Sequence, residues 1–84
     1  MPQEPLTPTP AVAELLAVLR TSITELEAGR ARRRAALEPV QASWQGGRRS
    51  AFDAASEHVD VLTRRAIAEL EALRAHTLRL AGGR

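Results

Sequence analysis

The chain has 84 residues, with 12 basic residues against 10 acidic ones and a formal charge of +2. All the bases are arginine, so the isoelectric point near 11.0 reflects side-chain type more than charge excess and says little about nucleic acid. Cysteine is absent, which excludes a disulfide framework, a thiol nucleophile and a cysteine-type zinc site. The apolar 44% is mostly alanine and leucine, with Trp44 and Phe52 as the only aromatics, a composition for long helices rather than a β-sandwich or barrel.

Residues 1–9 open a proline-rich stretch, MPQEPLTPTP, and are expected to form a disordered arm. The stretch has neither the basic nor the apolar region of a secretory signal peptide, and no apolar run approaches the roughly 20 residues that cross a bilayer. Synthesis in the cytoplasm without stable membrane insertion is the expectation. Thr9-Pro10 then suits a helix start: a threonine hydroxyl caps free amides, and proline at the first position sacrifices no hydrogen bond.

From Val12 the apolar residues advance by alternating steps of four and three through Leu16, Leu19, Ile23 and Leu26, then Leu37, Val40 and Trp44. Arg30 and Arg33 occupy the two polar steps. This heptad seam predicts one helix over about 10–44. Gly29 weakens it, and Pro39 predicts a kink near 35–39 without breaking the phase.

Gln45-Gly46-Gly47 interrupts the period and predicts a turn over about 45–49, with a left-handed glycine at the helix end. Ser50 is expected to cap a second helix over about 50–81, with Asp53 as an acid in its first turn. Its apolar series is Phe52, Ala55, Val59, Leu62, Ala66, Leu70, Leu73, Thr77 and Leu80, ended by Gly82-Gly83, and residues 83–84 are left as a tail. Asp60 and Arg64 are expected to pair on its outer face.

A short link between long helices makes them antiparallel. Folding the chain at the glycines sets Trp44 against Phe52, Leu37 against Val59, Leu26 against Leu70 and Ile23 against Leu73. The expected fold is therefore all-α, an antiparallel hairpin over 10–82. Two helices meeting along one line bury little, and Leu15, Val18, Val61, Ile67 and Leu78 widen the apolar stripe beyond what one neighbour covers. A dimer forming a four-helix bundle follows, homo or hetero.

Seam positions Arg30 and Arg33 need acceptors, since an unpaired guanidinium between helices is costly. Asp60 or Glu69, or an acid on a partner, would serve, and such a polar break can set register. The run Arg30-Ala-Arg-Arg-Arg34 otherwise reads as a solvated face, or as a contact for phosphate or an acidic surface. His58 and His76 lie too far apart on one helix, with nothing to complete a metal set. Glu25 with Glu27, and Glu69 with Glu71, point to different faces. Ser43, Ser50 and Ser56 have no nucleophile setting. No catalytic residue, metal or cofactor is expected.

Trp44-Gln45-Gly46, with Phe52 eight residues after the tryptophan, reads as an aromatic plug beside a tight reversal. Trp44-x-Gly46 between two amphipathic helices, with Ala51-Phe52 opening the second, also resembles the WXG family, the ESAT-like (Esx-type) hairpins of type VII secretion in actinobacteria and other Gram-positive bacteria. The resemblance spans residues 10–82. It implies a four-helix bundle of two hairpins, a second copy, another WXG protein or a larger effector as partner, recognition by a secretion ATPase, and export without a signal peptide. Trp44 and Gly46 match the family's turn motif, and the recognition surface is expected around Trp44 and Phe52. The family's tyrosine-bearing tail signal has no counterpart in Leu80-Ala-Gly-Gly-Arg84, so the partner would supply it, or the chain would stay in the cytoplasm as an adaptor. The competing expectations are an arginine-rich hairpin binding nucleic acid and a purely structural coiled-coil subunit.

Overall fold

A computed structural model describes residues 9–82: α1 (Pro10–Ser43) and α2 (Gly46–Ala81), joined by Trp44 and Gln45. The expected arm, apart from Thr9, and the tail at 83–84 lie outside the described residues. At 34 and 36 residues, the helices are each about 50 Å long. They pack as an antiparallel, all-α hairpin.

The start of α1 follows from its sequence. Thr9 Oγ1 accepts from the Val12 amide at 3.2 Å, and Pro10 takes the first helical position. Pro39 sits on the exposed side and does not end the helix. The seam of α1 faces α2 as its heptads predict. Leu16, Ile23, Leu26, Arg30, Arg33, Leu37 and Val40 are all half-buried, and Leu19 is 5% exposed.

The second helix departs from expectation at its start. It begins at Gly46, four residues before Ser50, so the turn shrinks to two residues and Ser50 lies inside the helix without capping it. Trp44 and Gln45 are extended and Gly46 has φ +66, a left-handed value that costs an L-residue about 1–2 kcal/mol. The reversal is therefore made by two extended residues and one glycine. At the far end the Gly82 amide donates to the Leu78 carbonyl at 3.0 Å and closes α2 where the glycines predict.

The face that α2 turns to α1 is also corrected. Ser56, Asp60, Thr63, Ile67, Leu70 and Thr77 are buried or half-buried, one residue along from much of the predicted series. Val59, Leu62 and Leu73, expected in the seam, are 43%, 48% and 45% exposed. The cause lies in α1. Arg30 and Arg33 sit in the contact line, and rotation of α2 supplies Asp60 and Thr63 as their acceptors instead of Val59 and Leu62. The loss of half-burial for two aliphatic side chains, about 1 kcal/mol each, is smaller than the cost of two unpartnered guanidinium groups between helices.

The outcome is a hairpin with little interior. Among the described residues the buried hydrophobics are Leu19 and Ile67, the buried polar residue is Thr77, and no side chain is fully enclosed.

Candidate functional site

The turn end carries the aromatic cluster. Because Gly46 reverses the chain immediately after Trp44 and Gln45, the first turns of α2 come back over the indole. Phe52 meets Trp44 edge to face, with ring centroids 4.9 Å apart and planes at 83°. The Arg48 guanidinium carbon stands 5.7 Å from the indole centroid, a cation–π distance. Trp44 remains half-buried, so the indole is held by two neighbours and still borders solvent. The predicted residues Trp44, Gly46 and Phe52 are thus brought together.

Beside the aromatics lies a polar staple that the sequence reading did not find. Asp53 accepts from Gln41 Nε2 at 2.9 Å and from Arg49 Nε at 3.0 Å, and Arg49 Nη1 donates to the Gln41 carbonyl at 2.5 Å. Asp53 therefore ties α2 to the last turns of α1 rather than capping α2. Its one sequence signal was the four-residue spacing from Arg49 to Asp53, which places an ion pair on one helix face.

Further along, Arg30 reaches across and grips Asp60 with both arms, Nε to Oδ1 at 2.5 Å and Nη2 to Oδ2 at 3.1 Å. Arg64 Nε adds a contact to Asp60 Oδ2 at 3.2 Å, and Arg64 Nη2 pairs with Glu57 at 3.3 Å. The Arg30 hydrogen bonds hold the Asp60 carboxyl below the usual carboxylate range against the opposing effect of desolvation, with the charges of Arg30, Arg64 and Arg34 adding to them. Arg30 is raised correspondingly, first by the hydrogen bonds it donates to Asp60. Arg33 Nη2 donates to Thr63 Oγ1 at 3.0 Å, and that hydroxyl donates on to the Val59 carbonyl at 2.9 Å. The predicted Arg30–Asp60 pairing is present. Asp60 itself lies at the helix–helix edge, not on the outer face.

These groups line a cleft of about 430 Å³ that includes Arg30, Arg33, Arg34, Asp53, Glu57 and Asp60. Three guanidinium groups and three carboxylates line it, and Arg49 and Arg64 share those same carboxylates from its border. His58 and His76 are both exposed, and no cluster of three or more metal-ligating side chains occurs among the described residues. No described helix is long and apolar enough to cross a membrane.

The two flanks of the hairpin differ. Successive helical residues turn by about 100°, which puts Leu15 and Val18 of α1 on the same flank as Val59, Leu62, Leu73 and Leu80 of α2. All six are more than 40% exposed. The opposite flank carries the cleft and its ion pairs. Compared with protein-family models, curated proteins and solved structures, the chain finds no match in any of the three.

Proposed function

We propose that this chain is a WXG-type, secretion-associated helical hairpin that acts by helix–helix association. It would serve as half of an exported dimer or as an adaptor for a larger type VII effector, with a secretion ATPase as a further partner. Export would proceed through the type VII apparatus. No enzymatic role and no cofactor is proposed. The observation that carries the reading is the turn: Trp44, the left-handed Gly46 and Phe52 form one partly exposed aromatic cluster at the closed end of the hairpin. The exposed apolar flank supports association as the mode of action. Of the arginines that the nucleic-acid alternative would use, Arg30 and Arg33 are engaged by Asp60 and Thr63, whereas Arg32 and Arg34 are exposed and join no ion pair among the described residues, so that second reading rests on the latter two.

The decisive variant is Trp44→Gly, expressed in a type VII-competent actinobacterial host. Export should be lost while helical circular dichroism and association with the partner persist. Export at the parental level would overturn the proposed role of the turn.

A further inference from the structure

We infer that Arg20, Glu27 and Arg34 of α1, opposed by Glu71, Arg64 and Glu57 of α2, form a charge ladder that holds α2 turned with its aliphatic stripe outward. The use of that stripe rests on the reading that the hairpin acts by helix association; the turn of α2 itself does not. Each row repeats every seven residues, and its signs alternate: plus, minus, plus along α1 from Arg20, and minus, plus, minus along α2 from Glu57. Each member follows a residue of the helix contact line by one position, Leu19, Leu26 and Arg33 on α1 and Ser56, Thr63 and Leu70 on α2. One residue is about 100° of turn, so in an antiparallel pair both rows lie on the same flank. Leu15, Val18, Val59, Leu62 and Leu73 each precede a contact-line residue and lie on the other.

The fold sets the two rows rung against rung. Arg34 and Glu57 line the cleft of about 430 Å³ together, Glu27 and Arg64 line a crevice of about 250 Å³, and Arg20 and Glu71 line one of about 240 Å³. All six side chains are exposed. Arg64 and Glu57 meet along α2 at 3.3 Å, whereas Arg20, Glu27, Arg34 and Glu71 join no ion pair among the described residues. Opposite charges thus face each other across solvent, where a single rung is weak and the effect lies in the series. To bring Leu62 and Leu73 into the contact line, α2 must turn by one residue, about 100°. That turn carries Glu57, Arg64 and Glu71 to the far side of α2 and parts all three rungs. It also moves Arg74, half-buried in the contact line, toward Arg20, like charge on like. The Arg30–Asp60 clasp resists the same turn, but Leu73 lies thirteen residues beyond Asp60. The Arg20–Glu71 rung stands at the level of Leu73 and holds the turn there.

The test uses the full chain carrying Leu73→Cys, which is then its sole cysteine. The rate of maleimide labelling is read at neutral pH and low salt, at a dilution where the chain sediments at 9.1 kDa. Leu73 is 45% exposed, and a turn of α2 toward α1 hides it. Glu71→Arg and Arg20→Glu should each slow labelling several-fold, because each sets like charges against each other across the rung. Arg20→Glu/Glu71→Arg together should restore the parental rate, since the reversed rung attracts again. High salt should shrink the effect of either single change. Parental labelling in both single variants, labelling that becomes faster, or slowing that the double reversal leaves in place would overturn the ladder. The readout does not involve association, so a chain that never associates would remove that reading and leave the ladder standing.

Discussion

Asp60 gathers more of the hairpin's polar contacts than any other described side chain: both arms of Arg30 and one of Arg64 converge on it. Its carboxyl is held below the ordinary carboxylate range, so it binds a proton less readily folded than unfolded. The stabilisation is fully present above the unfolded value of about 3.9 and is lost as pH falls through the lower folded value. Asp60→Asn should therefore lower the thermal midpoint at neutral pH. The gap between parent and variant should close as pH drops below about 4, where the parent's carboxyl takes up its proton on unfolding. A gap that stays constant down to about pH 2 would mean that the ionised carboxylate of Asp60 is not the source of the stabilisation.

Among the elements, α1 reads directly from its heptads, while α2 carries two overlapping stripes, one apolar and one polar, offset by a single residue. The difference explains what was legible. Trp44 against Phe52 followed from the turn position and the aromatic spacing, and the all-α hairpin followed from the two helical periods. The facing side of α2 did not, because hydrophobic periodicity weighs apolar residues alone. The seam arginines of α1 select Asp60 and Thr63, a choice made by hydrogen-bonding need rather than hydrophobicity. Ser50 misled in a similar way, since a good capping residue lies four positions inside a helix whose start is set by the left-handed Gly46. If the arginines fix the rotation, replacing them should release it. In Arg30→Leu/Arg33→Leu, α2 should turn Val59 and Leu62 inward, gaining about 1 kcal/mol for each from completed burial. A Val59→Cys reporter, labelled with a maleimide, should react several-fold more slowly in that background than with both arginines present. Equal labelling rates would show that the rotation has another cause.

Two long helices with Leu19 and Ile67 as the buried hydrophobics among the described residues leave much of their apolar surface outside any interior. The polar clasp of Arg30, Asp60 and Arg64 lies on one flank, and the aliphatic side chains are exposed on the other. The proposed helix–helix association depends on that division, whereas the aromatic turn depends on the reversal at Gly46. The most direct measurement is thermal unfolding of the isolated full chain, followed by far-ultraviolet circular dichroism over a wide range of concentration, with the mass at each point from sedimentation. Helicity should melt broadly and at low temperature wherever the chain sediments at 9.1 kDa, and the midpoint should rise whenever association occurs. A sharp, concentration-independent transition from a well-folded monomer would contradict the account.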